Sequence, residues 1–139
     1  MTGTPGDGAG GLLAELEWRG ILHTTTPGLA ARLERDPSIA GYIGFDPSGP
    51  SLHVGHLVPI FGLLRLQRFG GRPVAVVGGG TGMIGDPSGR SSERNLLDRA
   101  TLEFNVAGIR GQLERFLDFN PGASDAVMVI DLDWRGEVW

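Results

Sequence analysis

His53 and His56 stand three residues apart with Gly55 between them, where the chain changes from a strand-like run, Tyr42-Ile43-Gly44-Phe45, through Asp46-Pro47-Ser48 into a helix start. A helix start placed directly after a strand leaves backbone N–H groups unpaired at a positive end, which favours phosphate or another anion. Imidazoles at this spacing share a helix face, so both can address one ligand. Gly55 allows a flat base or a sugar to come against the backbone, and Ser48 offers a small hydroxyl to a terminal phosphate oxygen. The chemistry suggested is the holding of a polyphosphate nucleotide.

A second glycine-rich stretch, Gly78 to Gly89, follows the next apolar run. It lacks the Gly-Lys-Ser/Thr ending of a P-loop. The ribose-binding acid of a dinucleotide fingerprint is missing too, which argues against NAD. No nearby Cys, His or suitably spaced acid completes a shell around His53 and His56, so no protein metal site is expected. On the residues alone, plainer roles stay open: Ser51 as a helix cap, the glycines as a connector, Tyr42 as a core aromatic, Asp86 as a turn former, and Arg90 and Arg94 as surface charges.

The elements that must position these groups follow from pattern. Leu12, Leu13 and Leu16 form a short helical face with Gly20 as a stop. Thr26-Pro27 predicts an N-cap and first helical residue, with Leu29 and Leu33 on the buried side and Asp36-Pro37 as the end. Ile39 to Phe45 predicts a buried strand. After the turn, Leu57, Ile60, Phe61, Leu64 and Phe69 predict a helix face, with Pro59 causing a bend or a late start. Gly70-Gly71 ends that helix, and Pro73 to Val77 reads as a two-sided parallel strand. Asp98 caps a helix with apolar positions at Leu102, Val106, Ile109, Leu113 and Phe116, and Val127 to Asp131 is a third strand. This alternation predicts an α/β fold: a partial doubly wound, Rossmann-like parallel sheet with flanking helices, missing its second half. The chain reads as truncated, with residues 1–11 a flexible tail and 12–139 the ordered part.

Composition narrows the function further. Its 139 residues suit one domain, and 24 glycines imply many tight turns. A net charge of -4 without a dense basic stripe argues against this piece gripping nucleic acid by itself. The absence of cysteine excludes disulfides and suits a reducing compartment. No apolar run approaches a membrane span and no signal-peptide pattern opens the chain, so a cytoplasmic location without membrane association is expected.

The string Gly44-Phe45-Asp46-Pro47-Ser48, then Ser51 through Pro59 containing His53-Val54-Gly55-His56, together with Gly79 through Gly89 and Ser92-Glu93-Arg94, resembles the bacterial tyrosyl-tRNA synthetases, class I aminoacyl-tRNA synthetases. The resemblance runs from about Leu12 to Gly136 and covers the first third or so of a family member, the first half of its catalytic domain. It implies activation of L-tyrosine by ATP, with Mg2+ accompanying the nucleotide, and transfer of the tyrosyl group to tRNA(Tyr) by a homodimer. Ser48 and His53 would contact the leaving pyrophosphate, Gly55 and His56 the adenosine side, with Gly44 and Asp46 also at the nucleotide. Arg90 and Arg94 would supply cations near the pyrophosphate. Tyr42 would reach the substrate phenol, Asp86 its ammonium, and Asp131 the tyrosine or the adenylate ribose. The family commonly has threonine at Ser48, lysine at Arg90, a hydrophilic or small residue at Ile43, and asparagines at Ile130 and Asp131. Asp131 places a negative charge near phosphate. A non-catalytic ATP- or adenylate-binding fragment, or a truncated gene product, is the alternative expectation.

Overall fold

The structure, a computed structural model, describes residues 10–36, 38–78 and 98–131. Helices α1 (Gly10–Trp18) and α2 (Leu29–Arg35) precede strand β1 (Ala40–Phe45). A 3-10 turn (Val54–His56) leads into α3 (Leu57–Arg68), followed by β2 (Arg72–Val77), α4 (Arg99–Leu113) and β3 (Val127–Ile130). The strands form one parallel sheet in the order β1-β2-β3. Among the described residues no helix is long and apolar enough to cross a membrane.

Strand parity and register divide the sheet into two unlike faces. Ile43 and Phe45 lie beside Ala75 and Val77, which lie beside Met128 and Ile130. On this face they join Ile60 and Leu63 of α3 and Leu102, Val106, Ile109 and Leu113 of α4 in the core. Both crossover helices therefore cover the same side. The opposite face carries Tyr42 and Gly44, both exposed, beside half-buried Val74 and Val76. The apolar run Ile39 to Phe45 predicts a buried strand; β1 is buried on one face, because neither α3 nor α4 reaches the other.

Local chemistry explains most element boundaries. α1 ends at Gly20 (φ 67°), with Gly20 N–H donating to Glu17 O and Ile21 N–H to Leu16 O. α3 repeats the arrangement at Gly70 (φ 86°), with bonds from Gly70 and Gly71 to Gln67 and Leu66. These reciprocal bonds satisfy the last helical carbonyls, and the left-handed residue they require suits glycine. Pro59 falls in the first turn of α3, where a missing N–H leaves no helical bond unmade, so the 3-10 turn gives the late start foreseen. In β2, Arg72 N–H donates to Ile39 O on the β1 side. Pro73 therefore faces the β3 side, where pairing begins only at Val74, and costs the ladder nothing.

Two expectations need correction. Thr26-Pro27 does not cap α2; Gly28 is its N-cap at φ 83°, ψ -2°, and Leu29 N–H donates to Thr26 O. Proline followed by glycine at these angles closes a type II turn, which outcompetes helix initiation one residue earlier. In α3 the buried residues are Ile60, Leu63 and Leu66, while Phe61 is exposed and Leu57 and Leu64 only partly covered. The helix is rotated because Leu66 packs where Gly41 and Gly71 have no side chain: a Cβ at either would approach the Leu66 side chain to 2.7 and 2.3 Å.

α4 matches its pattern closely. The Asp98 carboxylate accepts from Thr101 N–H at 2.7 Å, and Leu102, Val106, Ile109 and Leu113 are buried. Ile109→Ala is expected to lower unfolding free energy by about 2–5 kcal/mol in urea titration, since it opens a cavity in a fully enclosed site. The Thr101 backbone N–H holds the Asp98 carboxyl below its ordinary 3.8. A lowered folded-state value means the cap stabilises above that ordinary value and is lost as pH falls through the folded one. Asp98→Ala should therefore reduce the thermal midpoint by a few degrees at neutral pH, and the gap to the parent should close as the solution is acidified below 3.8.

Candidate active site at the carboxyl edge of the sheet

The three strands end side by side. Phe45 is in register with Val77 and Val77 with Ile130, while Gly78 N–H donates to Phe45 O and Asp131 N–H to Val77 O. Ligands of open parallel sheets bind outside this carboxyl edge. Asp46, Gly78 and Asp131 thus mark three adjacent positions along one rim. Asp131 is 8% exposed.

The exit from β1 folds on itself. Asp46 Oδ1 accepts from Ser48 N–H at 3.1 Å, a side-chain-to-backbone turn typical of aspartate. Five residues beyond Ser48 the first of two histidines opens a reciprocal cap. Gly55 N–H donates to His53 Nδ1 at 3.0 Å, and His53 N–H donates to His56 Nδ1 at 3.1 Å. The ring centroids are 4.0 Å apart, and His56 stacks near Phe45 at 6.2 Å. Unpaired amides expected at this turn are therefore occupied by imidazole nitrogens. A ring nitrogen that accepts from an amide keeps its lone pair, so the proton of each neutral ring is on Nε2. The cap leaves the two Nε2–H groups, in place of these two backbone amides, as donors for other partners.

Gly55 has an internal reason to be glycine. A Cβ there would meet His53 Cε1 at 2.8 Å and Nδ1 at 3.0 Å, so the first group a side chain would displace is the capping ring. Gly44 differs: among the described residues a Cβ would meet nothing within 4 Å, and its φ is not in the left-handed region.

The other sequence-derived residues fall into separate groups. Ser48 is exposed on the loop beside Asp46. Tyr42 is 77% exposed on the open face, two residues before Gly44, so it is no core aromatic. Asp131 ends β3, two strand spacings from β1, roughly 10 Å. Asp86, Arg90 and Arg94 lie outside the described residues. Among the described residues no cluster of three His, Cys, Asp or Glu forms a metal site.

Three residues that sequence reasoning passed over hold the loop. Asn105, 3% exposed, donates from Nδ2 to Pro47 O at 2.8 Å. Gln112 accepts Leu52 N–H at 3.1 Å and donates to Pro50 O at 3.3 Å. Between them Gly108 lets Pro50 O come within 2.3 Å of where a Cβ would stand. They recur at helical spacing on the α4 face next to the loop. The signal available in sequence was a polar residue, Asn105, inside an otherwise apolar stripe.

A parallel sheet with helices packed on it and a histidine-capped turn at its carboxyl edge defines an open α/β unit. Residues 34–138 match the family of class I tRNA synthetases for tryptophan and tyrosine, and the chain belongs to that family. It is 53% identical over 127 residues to the tyrosine–tRNA ligase of Flavobacterium johnsoniae, covering 91% of this chain and 29% of that one. With the Anaeromyxobacter dehalogenans tyrosine–tRNA ligase it shares 54% over 123 residues, 88% of this chain and 29% of the relative. The chain therefore spans under a third of the length of these curated relatives. The C-terminally truncated mitochondrial tyrosyl-tRNA synthetase of Coccidioides posadasii superposes with a TM-score of 0.70 at 30% identity, covering 91% of this chain and 36% of that structure. The Aspergillus nidulans counterpart, at 23% identity and a TM-score of 0.69, shares the fold.

Gly55→Ala should push the His53 ring aside and release the amide at position 55. Faster hydrogen exchange at that amide, with the urea midpoint little changed because the turn is exposed, is the expected result.

Proposed function

We propose that this chain provides the nucleotide-binding half of a tyrosine-activating site, with residues 12–139 forming the first half of a class I catalytic domain. The observation that carries the reading is the pair of imidazoles that cap the turn after β1 through Nδ1 and leave each Nε2 unused by the cap, in a chain of this family. The reaction is attack of the tyrosine carboxylate on the α-phosphate of ATP, with pyrophosphate leaving and tyrosyl-adenylate formed. The tyrosyl group then passes to tRNA(Tyr). A carboxylate is already ionised at neutral pH, so no general base is required. Catalysis comes from alignment and from donors aimed where phosphate charge shifts.

In this reading His53 and Ser48 donate to the departing pyrophosphate. His56 and Gly55 hold the adenosine side, and Asp46 and Gly44 complete the nucleotide edge. Arg90 and Arg94 add positive charge near the pyrophosphate. Tyr42, exposed on the open face, meets the substrate phenol, where a hydrogen-bonding partner discriminates against phenylalanine. That magnitude of discrimination is known for this enzyme family, which serves as the standard example of the effect. Asp86 pairs with the substrate ammonium, and Asp131 approaches the tyrosine or the ribose. Mg2+ enters with ATP as counter-ion to its phosphates. A second copy in a homodimer and tRNA(Tyr) are the macromolecular partners, and the cytoplasm is the compartment.

Tyrosine-dependent exchange of labelled pyrophosphate into ATP tests the proposal. The exchange is expected once this half is joined to the rest of the catalytic domain, and there His56→Ala should lower it by about a hundredfold or more. ATP uptake without exchange would favour a non-catalytic nucleotide-binding role. Failure to take up either ATP or a tyrosyl-adenylate analogue would contradict the proposal.

A further inference from the structure

The two histidines stand on a loop, and a loop positions a donor only as well as it is held. Leu52 and His53 are consecutive residues whose amides go to different places: Leu52 N–H to Gln112 Oε1 on α4, His53 N–H to the ring of His56. These two successive amides therefore tie the chain to α4 on one side and to the cap on the other. Gln112 thereby fixes the Ser51–Leu52 peptide plane, one residue ahead of the cap. Its Nε2–H also reaches Pro50 O, so one side chain binds a donor and an acceptor of the same loop. Gln112 further borders a cavity of about 280 Å³ with Leu52, His53, Val54 and Leu57, which places it directly beneath the histidine turn.

Gln67 on α3 shows what a glutamine does when it only ties structure together. It bonds Asp118 N–H and the carbonyls of Asp118 and Ser124 at the start of the connection to β3, away from the histidine turn. Gln112 uses the same amide chemistry on the chain segment that carries His53.

We infer that Gln112 is a positioning residue: through the Leu52 amide it sets the orientation of the His53–His56 cap, and through the cap the direction of the two Nε2–H donors. The inference rests on the proposed nucleotide site for its consequence and on geometry alone for its mechanism.

Two variants test it by amide hydrogen exchange and by titration with ATP and Mg2+. Gln112→Met removes both bonds at similar volume. Exchange at the Leu52 and His53 amides should accelerate about tenfold, with Ile109 and Leu113 at the centre of α4 unchanged, and ATP affinity should fall about tenfold. Gln112→Glu retains an acceptor for Leu52 N–H and should keep that amide protected. Unchanged exchange at Leu52 and His53 in Gln112→Met would overturn the inference. So would equal acceleration at Ile109 and Leu113, or local loosening that leaves measurable ATP affinity intact. If the parent takes up no ATP, the nucleotide reading falls by itself, and the exchange pattern still decides whether Gln112 holds the turn.

Discussion

The imidazoles of His53 and His56 close on the backbone of their own turn, and whatever meets this edge of the sheet meets the consequences of that closure. Each ring gives one nitrogen to an amide and leaves the other unused by the cap. Two effects follow. The amides of His53 and Gly55 need no further partner, and each neutral ring has a defined proton position before any ligand arrives. Donors oriented in advance cost no reorganisation when charge develops nearby, which is the condition under which hydrogen bonds contribute most to catalysis.

That closure depends on layers behind it. Parallel strands ending in register create the rim, and α3 and α4 pack on one face to build the core that supports it. α4 contributes twice: its apolar stripe fills the core, while Asn105, Gly108 and Gln112 hold the loop leaving β1. The opposite sheet face is left to Tyr42 and Gly44. Exposed and packing positions thus alternate along β1 with the strand's two-residue period.

Much of this was legible in the chain itself. α4 was readable because its apolar residues advance by four, three, four between polar neighbours, with Asp98 ahead of them. β3 and the two glycine-terminated helices were equally clear. The face of α3 was not, since Leu57, Val58, Ile60, Phe61, Leu63, Leu64 and Leu66 leave little polar contrast from which to choose. Contact between Leu66 and the glycine positions of neighbouring segments settles it, and that is a tertiary fact. At Thr26-Pro27-Gly28 two valid local signals competed, and the turn prevailed. In the turn after β1, pattern alone assigned phosphate-binding capacity to free amides, whereas imidazole nitrogens occupy those of His53 and Gly55. Which nitrogen caps which amide depends on distances that sequence spacing does not contain. Asn105 and Gln112 escaped notice for a related reason: their partners lie about sixty residues away.

The most direct measurement is nitrogen-15 NMR of the imidazole rings in the nucleotide-free chain at neutral pH. The account predicts that His53 and His56 both show an unprotonated Nδ1 and a protonated Nε2, with through-hydrogen-bond couplings to the amides of Gly55 and His53. Rings that carry the proton on Nδ1, or that average freely between tautomers, would contradict it.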